Sequence, residues 1–166
     1  MITTSETKVD QPFEAKIIID NMAALLENCK LTDVTLVSGG GVNTSTTEHK
    51  AHKAMLAAQS PVFAAMFEHD TKERAESRVE IVDLEGPVIQ EMLRFIYTGK
   101  VPFFLDSMAV ELLVAADKYA LDQLKSLCEH SLISTLNTDN VVEVLMLADQ
   151  HCAKQLRAKA IEFFKS

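Results

Sequence analysis

Apolar and polar positions alternate along the chain in a way that divides it into short strands and amphipathic helices arranged around one corner. In HKAMLAAQSPVFAAMF, His52 to Phe67, Ser60 is placed to cap a helix whose first position is Pro61, where a missing N–H costs nothing. Upstream, Ala54, Met55, Ala57 and Ala58 are small or flexible; downstream, Val62, Phe63, Met66 and Phe67 recur on one helix face. The pattern predicts two short helices packed closely across a sharp turn, with Phe63, Met66 and Phe67 filling the space against the next layer.

Ahead of this corner, residues 1–14 read as a flexible tail or the end of a linker. Ala15 to Cys29 then sets Ile18, Met22, Leu25 and Leu26 on one helical stripe, with Asp20, Asn21, Glu27 and Asn28 opposite. Such a stripe buries either in its own core or against the same helix of a second chain, and spacing leaves both destinations open. Leu31 to Val37 alternates and is β-branched, predicting a half-buried strand; GGGVNTSTT, residues 39–47, reads as a flexible hairpin tip, and TEHKA returns as a second strand.

Beyond the corner, residues 68–77 form a charged loop and Arg78 to Leu84 a third strand. A helix opens near Pro87 and stops at Gly99, with Val88, Ile89, Met92, Leu93, Ile96 and Tyr97 on its apolar face. Val101 to Leu105 fits one short strand. Asp106 or Ser107 then caps a helix that breaks near Ala120 before another amphipathic run to Leu136. Thr138 or Asp139 caps the first member of a final helical pair, antiparallel around Gln150, that needs a surface to pack on.

Composition narrows the function. At 166 residues and 48% apolar the chain can bury a core of its own. A net charge of −8 and pI near 5.1 would repel a phosphate backbone, so nucleic acid is not an expected partner. No apolar run approaches the ~20 residues that span a bilayer, and no secretory signal opens the chain, which points to a cytosolic or nuclear protein without a membrane partner. Cys29, Cys128 and Cys152 are odd in number and unpaired in spacing, as for free thiols in a reducing compartment; Cys29 and Cys128 sit in apolar contexts typical of inert buried thiols.

Candidate chemistry is sparse. The triple glycine lacks the Lys-Ser/Thr of a phosphate loop, and Asn43-Thr44-Ser45 is a glycosylation sequon without a secretory context. His49 and His52 have metal-pair spacing but no further ligand nearby, predicting a solvated His49 and a His52 bonded to backbone or to Asp33. His151 and Cys152 are adjacent, and neighbours on a helix point about 100° apart, so they do not form a nucleophile–base pair. No cofactor, metal or catalytic residue is expected, and the chain reads as a non-enzyme.

Taken in order, LTDVTL, HKAHKAMLAAQSPVFAAMFEHD, RVEI, FIYTGKV and ELLVAADKYALDQLKSLCEHSL resemble a BTB/POZ domain, here over residues 15–136. NVVEVLMLADQHCAKQLRAKAIEFF, within residues 137–166, resembles the helical extension called the 3-box, and together the blocks are most similar to the MATH-BTB group. The resemblance implies an α+β fold, a small, mostly three-stranded sheet capped by helices and followed by a C-terminal helical pair, and a homodimeric adaptor that docks a cullin-3 scaffold in a ubiquitin ligase, the protein substrate being brought by another module such as MATH. It places the dimer interface on Ile18, Met22, Leu25 and Met55, and the cullin-facing surface on Met66, Phe67, Glu68, Thr71, Glu73, Tyr119 and Asp122, with part of Val141 to Asp149. Adaptors of that family carry a hydrophobic-x-Glu triplet where this chain has Thr71-Lys72-Glu73, so the carboxylate is kept and the apolar anchor is not. The hairpin tip at 38–47 is also longer than in the nearest relatives. The alternative is a BTB dimer that recruits a transcriptional corepressor peptide, against which the 3-box and the absence of a zinc-finger pattern both weigh.

Overall fold

The two alternating segments pair as a hairpin at the heart of a three-stranded sheet. In the computed structural model, which describes residues 11–39, 46–68, 76–102 and 105–165, β1 (Val34–Ser38) runs antiparallel to β2 (Glu48–Ala51), with Val34 opposite Ala51. It runs parallel to β3 (Arg78–Ile81), with Leu36 opposite Val79, so the strand order is β2-β1-β3. A parallel pair needs a long crossover, and the helical corner, α2 (Lys53–Gln59) and α3 (Pro61–Glu68), supplies it. Central β1 is accordingly buried over most of its length. The Gly39 N–H donates to the Ile81 carbonyl at 2.6 Å, and a Cβ there would lie 2.3 Å from the Val82 backbone, so only glycine permits that approach.

Six further helices complete the described chain: α1 (Gln11–Glu27), α4 (Gly86–Thr98), α5 (Leu105–Lys118), α6 (Asp122–Ser134), α7 (Val141–Gln150) and α8 (Lys154–Lys165). The whole apolar face expected on α4, from Val88 to Tyr97, is buried, and Gly99 ends the helix in the left-handed region (φ 67°) with its N–H on the Phe95 carbonyl. α4 packs between α1 and α5, α5 pairs with α6, α7 packs on α8, and α8, with Leu156 and Ala160 buried, rests on α6. The reversal between α5 and α6 falls at Ala120 (φ 51°), as the pattern predicts.

Several boundaries differ from the sequence reading. α1 starts at Gln11 rather than Ala15, with Pro12 in the first turn, where its missing donor is tolerated. β1 begins at Val34 because Cys29 and Leu31 take left-handed conformations (φ 49° and 57°) that turn the chain out of α1 and leave Leu31 exposed. β3 ends at Ile81, and Val82 points to solvent. Of the strand expected at Val101 to Leu105, residues 103–104 lie outside the described residues, Val101 and Pro102 are in no strand, and Leu105 already opens α5. Asp106 therefore lies inside the helix and accepts a hydrogen bond from the Ser131 hydroxyl of α6 instead of capping. Before α7, Asn137 does the work expected of Thr138 or Asp139: its side-chain oxygen accepts from the Asp139 and Asn140 amides at 2.9 and 3.1 Å. The hairpin tip at 40–45 and the charged loop at 69–75 lie outside the described residues.

Candidate interaction surfaces

The apolar stripe of α1 divides between two environments. Met22, Leu25 and Leu26 are half-buried against the chain's own core, as is Met55 of α2, whereas Ile18 is 59% exposed and its neighbour Ile17 is 46% exposed. One edge of the helix therefore holds α1 to its own domain and the adjacent edge presents two isoleucines to solvent. The predicted interface residues Ile18, Met22, Leu25 and Met55 thus comprise one fully presented side chain and three that serve the fold as well.

A second surface is built where two corners meet. At the first, Ser60 caps α3 as predicted: its hydroxyl oxygen accepts from the Phe63 amide at 3.1 Å. The same hydroxyl donates to the Tyr119 carbonyl at 2.6 Å, fastening the α2–α3 corner to the α5–α6 corner. The Phe63 ring stacks on Tyr119 with centroids 4.4 Å apart, and Phe67 lies nearly parallel to Phe63 at 6.1 Å. Outside this stack, Pro61, Val62, Ala65 and Met66 form an open apolar shelf, with Glu68 exposed at the end of α3 and Asp122 exposed in the first turn of α6.

Of the residues assigned to the cullin-facing surface, Met66, Phe67, Glu68 and Asp122 thus reach the surface wholly or in part. Tyr119 does not: at 1% exposure its ring is a buried prop beneath Phe63, and burial pushes its hydroxyl pKa up. Its contribution is to position α3. Thr71 and Glu73 lie outside the described residues.

The C-terminal pair joins the same region through polar contacts that spacing did not reveal. Lys125 of α6 donates to an Asp117 carboxylate oxygen and to the His151 carbonyl, each at 2.6 Å, and His151 Nδ1 meets the other Asp117 oxygen at 3.0 Å. Burial works to raise the Asp117 pKa, but hydrogen bonds from Lys125 and His151 outweigh it and hold the carboxyl below its ordinary value. Buried Glu129 of α6 accepts from the Leu156 amide at 2.9 Å, capping α8 from another helix. On the outside of α7, Val142 and Met146 are 54% and 61% exposed, one helical turn apart.

The remaining candidates for chemistry are accounted for structurally. His52 takes the backbone alternative: Nε2 meets the Lys30 carbonyl and Nδ1 the Tyr97 hydroxyl, both at 2.6 Å, while Asp33 accepts from the Lys53 amide at the start of α2. His49, expected to be solvated, is half-buried with Nε2 3.1 Å from the Thr47 hydroxyl, and burial lowers its pKa. Cys128 is buried as expected, but Cys29 is exposed, because the chain leaves α1 there in a left-handed turn. Cys152 is also exposed in the α7–α8 turn, and His151 is occupied by Asp117. Among the described residues no cluster of His, Cys, Asp or Glu could hold a metal, and no helix is long and apolar enough to cross a membrane.

A small sheet braced by helices, with apolar side chains presented on α1 and α3, is a module built for contact with other proteins. Residues 22–136 match the BTB/POZ domain, more than half of the chain, and the chain belongs to that family of non-catalytic protein-interaction modules. Among solved structures it is similar to the BTB domain of zebrafish PATZ1, with a TM-score of 0.58 and 24% identity over 77% of this chain and 98% of that one. At that identity the likeness establishes the fold, and it does so independently of the family match.

Proposed function

We propose that this chain is a homodimeric adaptor of the MATH-BTB kind, cytoplasmic or nuclear, which docks a cullin-3 scaffold of a ubiquitin ligase and presents a substrate brought by another module. The observation that carries the reading is the Ser60–Tyr119 hydrogen bond, which unites the α2–α3 and α5–α6 corners as one rim around Met66 and Phe67. The α7–α8 pair, in the place of a 3-box, is pinned to the α6 helix that contributes Asp122 to this rim, so the described parts of the assigned surface share one support. Domain organisation follows the same reading: an interaction domain to Leu136 and a helical extension after it. That extension favours cullin docking over corepressor recruitment.

Such an adaptor performs no bond-making of its own. It raises the effective concentration of substrate near the transfer machinery, and a two-fold dimer offers two such positions at once. The Ile17–Ile18 edge of α1 is the surface available for that two-fold contact. Titration of a cullin-3 N-terminal fragment into the chain, read by calorimetry, tests the proposal. Binding at tens of micromolar or tighter is expected, with Glu73→Lys weakening it at least tenfold; no heat at that concentration sinks the reading.

A further inference from the structure

On the side of α1 away from the Ile17–Ile18 edge lies a groove of about 470 Å³, walled by Ile19, Ala23 and Leu26 of α1, floored by Leu93 of α4 and bounded by β2. Its volume falls in the range of ligand-binding clefts. Three consecutive β2 residues, Glu48, His49 and Lys50, line it, although successive strand side chains point to opposite faces. A groove touched by all three runs along the edge of the strand rather than over one face of the sheet.

Among the described residues that edge carries no further strand, because β2 is the outer one. The Ser38 N–H donates to the Thr47 carbonyl at 2.9 Å, and in this register Thr47, His49 and Ala51 turn their peptide groups toward β1. Glu48 and Lys50 consequently turn their backbone donors and acceptors outward, toward whatever occupies the edge.

Charge at the groove runs opposite to charge on the molecule. The whole chain carries −8, yet Lys50, Arg94 and Lys100 stand together around the groove. Of its two carboxylates, Glu48 is already paired with Arg78 at 2.9 Å, and Arg94 lies 3.6 Å from Glu91 of its own helix, which leaves Lys50 and Lys100 facing Glu27. An apolar floor, an open strand edge and a cationic rim are together the complement of an extended segment that alternates apolar and acidic side chains.

We propose that this groove is a second docking site, distinct from the α1 dimer edge and the α3 rim, that takes an acidic, partly apolar peptide as an added strand beside β2. The backbone of the peptide pairs with Glu48 and Lys50, its apolar side chains sit on Ile19, Leu26 and Leu93, and its carboxylates face Lys50, Arg94 and Lys100.

The test uses the full chain and a fluorescein-labelled ten-residue peptide alternating Glu with Val and Leu, followed by anisotropy. Binding is expected to weaken with added salt, to fall at least tenfold in the double variant Lys50→Glu with Arg94→Glu, and to vanish when the peptide glutamates are replaced by lysine. Methylating alternate backbone nitrogens of the peptide should abolish binding, since it removes the donors that strand pairing needs. Equal binding of the Glu and Lys peptides, or of the methylated one, overturns the proposal. Self-association lost on Arg94→Glu would assign the groove to a second copy and overturn it too. If the double variant does not fold, alkylation of Cys29, which lines the groove, decides on the unaltered chain: the peptide should slow it at least fivefold, and an unchanged rate refutes the site.

Discussion

The Ser60 hydroxyl stands between two corners of the chain, donating to the Tyr119 carbonyl at 2.6 Å while accepting from the Phe63 amide at 3.1 Å. Fifty-nine residues separate Ser60 from Tyr119, yet this one fully buried oxygen sets the spacing of α3 against the α5–α6 turn. Ser60→Ala leaves the Tyr119 carbonyl and the Phe63 amide without partners in a dry site. The expected cost is about 2 kcal/mol, read as a lower urea midpoint at unchanged slope. Under the proposed adaptor role, cullin-fragment affinity should fall with it, because the rim loses its brace.

The exposed edge of α1 gives a test that leaves the fold intact. Ile18 is 59% exposed in the single chain, so Ile18→Glu should change monomer stability little. In a two-fold contact the same change removes about 1.5–3 kcal/mol of apolar burial from each copy and sets two carboxylates together. Light scattering should therefore report the mass of one chain where the unaltered protein gives two. Met22→Ala, at a half-buried position packed on the core, should lose thermal stability as well as mass. A dimer that persists in Ile18→Glu would move the contact elsewhere.

The elements that were legible in the sequence are those whose signals are local. Ser60-Pro61 announces a helix start through side-chain chemistry one residue away, and Gly99 announces an end because it can take φ 67° at no steric cost. The buried face of α4 was readable for the same reason, its period being carried by residues three and four apart. What could not be read lies between distant residues: Asp117 and His151 are 34 apart, Glu129 and Leu156 are 27 apart, and no spacing rule joins them. Glu129 offered one clue in retrospect, a carboxylate on the apolar side of a helix, which needs a donor from a neighbouring element. Leu31 and Cys29 misled because apolar neighbours read as core, whereas the backbone turn after α1 throws both outward.

Thiol chemistry separates the three cysteines. Cys29 and Cys152 are exposed, while burial, with a smaller push from Glu129, raises the Cys128 thiol to about 12. Since the thiolate is the reactive form, Cys128 should be silent at neutral pH. Ellman's reagent should thus titrate two thiols in the native chain at pH 8 and three in guanidinium. A third thiol reacting as fast as the others in native protein would contradict the packing of α6 against α5.

Acid should loosen the C-terminal pair through Asp117. This carboxylate accepts from Lys125 at 2.6 Å and from His151 at 3.0 Å, and its pKa lies below the ordinary value of 3.8. A depressed carboxylate pKa means that the folded state favours the charged form. The stabilisation is therefore fully present above about pH 4 and fades as pH falls through the folded value. Asp117→Asn keeps the shape but gives up the charge. With the group about one-third exposed, the loss at pH 7 should be on the order of 1 kcal/mol or less. The difference between variant and wild type, measured by urea unfolding, should narrow as pH falls below the ordinary carboxylate value and close only once the native carboxyl also takes up its proton. Lys125 holds the His151 carbonyl as well as Asp117, so the variant should also expose the α7–α8 turn at residues 151–153 to limited proteolysis at neutral pH. A gap that stays constant from pH 7 to pH 3 would show that the turn is held by packing of Leu156 and Ala160 alone.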